Sequence, residues 1–427
     1  MTKLLSQNLY TKKNKLAIIG LGYVGLPLAI EFGKKREVIG FDVNKNRIDE
    51  LKRNIDSSLE VSNSEFKESV NLSFTDSIDD IKNCKIFIAT IPTPVNGKNK
   101  PDLSLLKNCC EMIGLIVKKK DLVIFESTVY PGVTEEVCMP IIEKISGLKF
   151  NKDFFCGYSP ERINPGDKNH RISKIIKITS GSTPEISKVV DQLYQEIINV
   201  GTYKAPSIKV AEAAKVIENT QRDINIALVN EFSIIFDKLK IDTKSVLEAA
   251  STKWNFLPFK PGLVGGHCIG TDPYYLAFKA LEVGYNPEII LAGRRINENM
   301  GIYFAKKLKK LMKNKDINLI SAKILVMGFT FKENCPDIRN TKIVDLIREI
   351  KKYNSNVDVY DSWAKKEDVK KQYNINLIQK LKKNKYDVIV LAVAHDEFKK
   401  NSFKMIKNLV KKDHLIYDIK HLIDTRD

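Results

Sequence analysis

The sequence predicts an α/β protein: two doubly wound parallel-sheet domains joined by a long central helix and a helical middle domain. Three observations carry this. From Lys15 onward, apolar strand-like strings alternate with helical patterns, as they do where helices cover both faces of a parallel sheet. Between Ile208 and Leu239, apolar positions recur at three- and four-residue steps without Pro or Gly. From Lys323, strand and helix alternate again. At about 150 residues per domain, 427 residues allow two or three domains. The boundaries are expected at 1–205, 206–318 and 319–427.

The elements follow in order. KLAIIGLGYVGLPLAIEFGKKREVIGFDVN, starting at Lys15, reads as an apolar strand, a glycine turn, a helix beginning near Tyr23, and a second strand closing on Asp42. Further strands are expected at Ile86 to Ile91 and Leu122 to Ser127. The helix Ile208 to Leu239 is long enough to link domains and to offer a packing surface to a second subunit. A Gly- and Pro-rich loop, Pro258 to Pro273, precedes renewed helix. Within it, Ala305 to Lys315 places Leu308, Leu311 and Met312 at helical spacing beneath a run of lysines, the pattern of an amphipathic surface helix. KILVMGF, the helical segment Thr341 to Lys352, VDVYD, YDVIVLAV and LIYDI then form a smaller α/β domain. There is no short tandem repeat.

Composition narrows the function classes. The 43% of hydrophobic residues can fill ordinary cores. No apolar run approaches the ~18 residues of a membrane-spanning helix, and the richest string, Val388 to Ala394, stops at strand length. MTKLLSQNLYTKKNK is polar and Lys-rich, unlike a secretory signal, so a cytoplasmic protein without a membrane partner is expected. The formal charge of +18 raises a nucleic-acid reading. Its surplus, however, is Lys scattered along the chain, whereas base and phosphate recognition favours Arg clustered with aromatics. No nucleic-acid partner is expected, although a positive field can speed encounter with a small anionic substrate. The seven cysteines (84, 109, 110, 138, 156, 268 and 335) are odd in number and lack CxxC spacing, which argues against a disulfide framework or zinc site.

Two motifs carry chemistry. Gly20-Leu21-Gly22-Tyr23-Val24-Gly25 is a GxGxxG between an apolar strand and a helix. Gly20 allows the tight turn, Gly22 lets the backbone approach a pyrophosphate, and Gly25 lets helix and strand pack closely. Asp42, at the end of the next strand, can accept hydrogen bonds from an adenosine ribose and would repel a 2′-phosphate, so NAD is the expected cofactor in a Rossmann-like domain. The second motif is Gly262-Leu263-Val264-Gly265-Gly266-His267-Cys268-Ile269-Gly270-Thr271-Asp272. Glycines around a cysteine let a substrate lie against the backbone and leave the thiol accessible, and the nearby carboxylate can assist proton transfer. In a dehydrogenase such a thiol has a specific use. It can hold an aldehyde as a thiohemiacetal that loses a second hydride to become a thioester, giving a four-electron oxidation of alcohol to acid.

With these motifs the chain resembles the UDP-sugar 6-dehydrogenases over nearly its whole length from Lys15. The resemblance implies cofactor contacts from Gly20, Gly22, Tyr23, Val24, Gly25 and Asp42, with Arg47 on the adenine side or phosphates, Thr93 in IPTPV, Thr128 in ESTVYPG, and Arg339. It implies that Glu161 in YSPERINPGD assists thioester hydrolysis. Lys215 and Asn219, in AEAAKVIENTQRDIN, are implied near the sugar C6 oxygen, sharing one helix face. Cys268 matches the catalytic cysteine and Asp272 the aspartate of its loop, while Thr128 would orient water or nicotinamide. Phe331 and Lys332 in GFTFKENCPDIRN match UDP-sugar contacts, and Phe259, Lys260, Gly262 and Gly265 of TKWNFLPFKPGLVGGHCIG are expected on the substrate. No metal is required. The C-terminal domain would bind UDP, with substrate and cofactor meeting in a closing cleft.

Gly-Gly-His-Cys and SPER-x-x-PG resemble the N-acetylhexosamine branch, acting on UDP-N-acetylglucosamine or UDP-N-acetylgalactosamine to supply a uronic acid for surface polysaccharide. Arg162 is then a candidate for holding the 2-acetamido group. His267 either touches substrate or packs beside the nucleophile. UDP-glucose or UDP-N-acetylmannosamine is the alternative substrate, and a basic nucleotide- or nucleic-acid-binding protein the non-enzyme alternative. A homodimer or larger homo-oligomer is expected from the long helix.

Overall fold

A computed structural model describes residues 11, 13–162, 171–266, 269–400, 402–420 and 422–423. The chain divides into two compact units, Met1–Glu218 with Tyr274–Tyr285, and Asn219–Pro273 with Asn286–Asp427.

In the first unit, β1 (Leu16–Ile19), β2 (Val38–Phe41), β3 (Leu72–Thr75), β4 (Ile86–Ala89), β5 (Leu122–Phe125), β6 (Phe155–Tyr158), β7 (Lys177–Gly181) and β8 (Thr202–Lys204) form one sheet. Its order is β3-β2-β1-β4-β5-β6-β7-β8. The pairings are parallel except β6 with β7, an antiparallel step that the sequence pattern does not announce. β1, β4, β5 and β6 are buried throughout, which explains why the first three read as continuous apolar strings. Alternate residues feed two cores. Ala17, Ile19, Phe87 and Phe125 meet Leu106 and Ile113; Leu16, Ile18, Ile88 and Ile124 meet Leu26, Ile30, Val189 and Leu193.

The covering helices are α1 (Gly25–Gly33), α2 (Lys45–Lys52), α3 (Ser104–Ile116) and α4 (Pro184–Gln195). α1 begins at Gly25, just after the position expected, because Leu21 to Val24 complete the glycine turn first. The order reverses between β1 and β4, and in open α/β sheets that switch point forms the ligand crevice.

α5 (Ile208–Leu239) occupies the residues anticipated for the long helix. It buries polar residues beside the apolar Ile208, Ala211, Val216, Ala227 and Val229. Glu212, Lys215, Asn219, Asp223 and Asn230 are buried, while Val210, Ile217, Leu228, Ile235 and Leu239 are exposed. Buried polar groups must find partners. In the second unit, Asp223 Oδ1 accepts from Arg294 Nη1 and Asn297 Nδ2, each at 2.7 Å. α6 (Asp272–Glu282) belongs to the first unit from Tyr274 onward, and α7 (Glu288–Asn314) to the second. The C-terminal half of α7 buries Leu308 and Met312 in the core and leaves Lys306, Lys310 and Lys313 exposed, as an amphipathic surface helix does.

The second unit also contains β9 (Ile324–Met327), α8 (Ile343–Lys351), β10 (Val357–Tyr360), β11 (Tyr386–Leu391) and β12 (Val410–Asp418), with a parallel sheet ordered β10-β9-β11-β12. The two sheets share one turn. Gly20 after β1 and Gly328 after β9 have φ of 92° and 95°. Their N–H groups donate to the Phe41 and Tyr360 carbonyls, each at 2.8 Å. The next residue donates to a carboxylate at the end of the neighbouring strand, Leu21 to Asp42 and Phe329 to Asp361. Among the described residues, no helix is long and apolar enough to cross a membrane.

Candidate active site

The first unit assembles a dinucleotide turn. A Cβ on Gly25 would lie 1.8 Å from the Gly20 carbonyl oxygen, so only glycine lets α1 close on β1. A Cβ on Gly22 would meet nothing within 4 Å, and this exposed position leaves the backbone open to a pyrophosphate. Tyr23 and Val24 are half-buried beside it. Asp42 Oδ2 accepts the Leu21 N–H at 2.8 Å and Oδ1 the Asn44 N–H at 2.9 Å, which orients the carboxylate while each oxygen keeps a lone pair. This open glycine turn with its oriented acid fits NAD. Arg47 braces the turn: Nε donates to the Leu21 carbonyl at 3.0 Å and Nη2 pairs with Asp56 at 2.8 Å. Thr93 Oγ1 donates to the Thr128 carbonyl at 2.6 Å, tying the loop after β4 to the loop after β5.

A second cluster in this unit surrounds Glu161. Lys215 Nζ donates to the Glu161 carbonyl at 2.7 Å and to its Oε1 at 3.2 Å, with both side chains buried. Arg162 pairs with Glu218. These four side chains line a cavity of about 240 Å³ whose apolar wall includes Ile172, Ile175 and Ile178. Glu212, one turn before Lys215 on α5, accepts the Gly132 and Thr134 N–H groups at 2.6 and 2.9 Å, and burial pushes its carboxyl up to about 7. It fastens the segment that follows Thr128 to the helix that carries Lys215.

The second unit gathers the remaining candidates. Asn219 Nδ2 donates to Asp272 Oδ2 at 2.5 Å, and Arg222 Nη1 donates to Asn219 Oδ1 at 2.8 Å. The amide is thereby held with its NH₂ toward the carboxylate. Gly262 exchanges two hydrogen bonds with the Asn230 side chain, at 2.8 and 3.0 Å. A Cβ on Gly265 or Gly266 would fall 3.0 or 2.7 Å from Phe331, so the glycines let the loop lie against that ring. Gly266 N–H donates to the Arg339 carbonyl at 3.2 Å, while the Arg339 guanidinium forms a fork with Asp337, Nε at 2.9 Å and Nη2 at 2.5 Å. Phe259 and Lys332 are half-buried and Lys260 is exposed.

His267 and Cys268 lie outside the described residues. The other six cysteines are buried. Burial raises the Cys109 and Cys156 thiols well above their ordinary range, which makes them poor nucleophiles. Among the described residues no cluster of His, Cys, Asp and Glu could hold a metal ion. Sequence reasoning did not single out Glu212 or Arg222. Neither belongs to a glycine or cysteine motif, and only the folded chain shows that each is spent on a site neighbour.

Similarity to known proteins agrees with this geometry. Three models of the UDP-glucose/GDP-mannose dehydrogenase family match in succession: its NAD binding domain at residues 14–198, its central domain at 209–299 and its UDP binding domain at 325–425. The UDP-N-acetyl-D-glucosamine 6-dehydrogenase of Pseudomonas aeruginosa is 60% identical over 413 residues, covering 97% of this chain and 98% of that protein. The protein of the same name from Salmonella typhi is 57% identical, covering 96% of each. Among solved structures, a UDP-D-ManNAc dehydrogenase from Pyrococcus horikoshii superposes with a TM-score of 0.87 at 29% identity, covering 96% of both chains. With all three family domains matched in order along the chain, it belongs to the UDP-glucose/GDP-mannose dehydrogenase family.

Proposed function

We propose that this chain is an NAD-dependent UDP-N-acetyl-D-glucosamine 6-dehydrogenase, oxidising the C6 hydroxymethyl group to a carboxylate. The observation that carries the choice of sugar is the 57–60% identity to two proteins of that name, against 30% to the UDP-N-acetyl-D-mannosamine dehydrogenase of Campylobacter jejuni. NAD, when bound at the Gly20–Gly25 turn, supplies the hydride acceptor for each of two oxidations.

The residues act as follows. Lys215, buried and cationic, stabilises negative charge on the C6 oxygen, and Asp272, aligned by Asn219, takes the departing proton through water. Cys268 Sγ adds to the aldehyde carbon to form a thiohemiacetal, whose oxidation leaves a thioester. Glu161 takes a proton from water as its oxygen attacks the thioester carbon. The C–S bond breaks and its electron pair returns to Sγ, with Thr128 orienting the water or nicotinamide. Phe259, Lys260, Gly262, Gly265, Phe331 and Lys332 hold the UDP-sugar, Arg162 its acetamido group, and Arg339 the cofactor. The enzyme works in the cytoplasm, and its product is a uronic acid for surface polysaccharide.

It works as a homodimer. The exposed apolar residues of α5, at 210, 217, 228, 235 and 239, are separated by steps of seven, eleven, seven and four, so they form one stripe along the helix. A stripe of this kind on a helix whose opposite face is polar and buried suits a symmetric helix pairing.

A panel of UDP-sugars assayed for NAD reduction tests the reading. UDP-N-acetylglucosamine is expected to give the highest kcat/KM, and turnover of UDP-glucose alone would overturn it. Cys268→Ala is expected to abolish acid formation while leaving NAD and UDP-sugar affinity intact.

A further inference from the structure

A second buried lysine lies beneath the segment that presents Glu161. Lys177 opens β7, with only 4% of its side chain exposed. Its Nζ donates to the Ser159 carbonyl at 3.1 Å and the Pro160 carbonyl at 3.0 Å, and pairs with Glu126 Oε2 at 2.8 Å. Glu126 Oε1 accepts the Tyr194 hydroxyl, and the ammonium sits 4.9 Å from the centre of the Tyr194 ring. Three consecutive carbonyls, of Ser159, Pro160 and Glu161, are therefore taken by two ammonium groups, Lys177 for the first two and Lys215 for the third.

Stability alone does not account for this arrangement. Replacing a buried ion pair by apolar groups of similar volume is often neutral or stabilising. Burial disfavours both charges here, lowering Lys177 and raising Glu126 against their mutual attraction. What an apolar pair would not supply is a donor to two loop carbonyls that lie beyond the end of β6. The ammonium does so, and its partners Glu126 and Tyr194 come from the end of β5 and from α4, so three elements converge on one short segment.

We propose that Lys177, held by Glu126 and Tyr194, is a positioning residue that fixes the Ser159–Glu161 backbone and so aims the Glu161 carboxylate for thioester hydrolysis. The inference rests on the role given above to Glu161. In that step Glu161 takes the proton of water, the new C–O bond forms, and the C–S bond breaks toward Cys268. The two preceding hydride transfers do not need this carboxylate. Loss of Lys177 therefore slows the last step selectively and leaves the acyl group on Cys268.

The test uses the full chain and the variants Lys177→Met/Glu126→Gln, Tyr194→Phe and Glu161→Gln with UDP-N-acetylglucosamine and NAD. The double variant removes both charges, so no unpaired ion remains buried. It is expected to bind NAD as the parent does and to release two NADH per site in a burst. A steady rate about 100-fold lower should follow, with an acyl adduct on Cys268 seen by intact mass spectrometry after acid quenching. Tyr194→Phe, which removes one hydrogen bond and no charge, is expected to show a weaker form of the same behaviour, and it carries the test if the double variant does not fold. Parent-like steady turnover without adduct, or a slow rate without burst, would overturn the proposal if Glu161→Gln does accumulate the adduct. Absence of adduct in Glu161→Gln, or of turnover in the parent, would instead overturn the functional reading on which it rests.

Discussion

The Lys215 ammonium binds the same residue twice, donating at 2.7 Å to the Glu161 backbone carbonyl and at 3.2 Å to its carboxylate. One buried cation thus sets both the main chain and the side chain of the proposed hydrolytic residue. Lys215→Met is expected to lower kcat by about 10²- to 10³-fold, the range for removing a group that stabilises a developing oxyanion. It also leaves the Glu161 carboxylate buried without its cation, at a cost of about 3–5 kcal/mol. Steady-state kinetics and thermal melts read the two effects separately. A variant that melts lower yet keeps its kcat would remove Lys215 from the chemistry.

The glycine turn allows a sharper separation of fold from function. A side chain at Gly22 meets no heavy atom within 4 Å, whereas one at Gly25 would collide with the Gly20 carbonyl at 1.8 Å. Gly22→Val is therefore expected to melt within about 2 °C of the parent. It should still lose at least about tenfold in NAD affinity, because its side chain fills the approach to the pyrophosphate. Gly25→Ala should instead fail to accumulate as folded protein. Calorimetry with and without NAD distinguishes the two.

Gly20 and Gly25 were legible in sequence because backbone geometry demands glycine there, and a glycine pattern survives in one dimension. The strands β1, β4 and β5 were legible for a related reason: buried on both faces, they are continuous apolar strings. β3 (LSFT), β7 (KITSG) and β8 (TYK) carry too many polar residues to stand out. Buried charges were the least legible. Lys177 resembles any surface lysine until it is seen beside Glu126, 51 residues away in sequence. Arg47 and Arg339 show the converse. Both read as ligand contacts, yet each also has a carboxylate close by in the chain, Asp56 and Asp337, that holds its guanidinium.

The apolar stripe of α5 makes oligomerisation testable. Leu228 and Ile235 are 46% and 44% exposed, two turns apart on the same face. Placing Glu at both sites would bury like charges opposite their symmetry mates. Light scattering is expected to show a dimer for the parent and a 48.6 kDa monomer for Leu228→Glu/Ile235→Glu. A monomeric parent would overturn the homodimer, and a doubly charged variant that stays dimeric would place the interface elsewhere.

Glu212 predicts how stability responds to pH. Its carboxylate is buried, and that burial raises it from the ordinary 4.5 to about 7 even though the Gly132 and Thr134 N–H groups favour the ionised form. An acid raised on folding binds a proton in the native state that the unfolded chain has already lost. Its contribution is therefore complete below pH 4.5, falls as pH rises toward 7 and is spent above it. The whole change amounts to about 3 kcal/mol. Glu212→Gln keeps an acceptor for one N–H but cannot titrate, so its stability should lack this slope while sharing every other titration. Urea unfolding of parent and variant between pH 5 and 8 is expected to show the parent losing ground to the variant as pH rises through 6 and 7. A difference that stays constant across that range would mean that Glu212 is already ionised in the folded protein at pH 5.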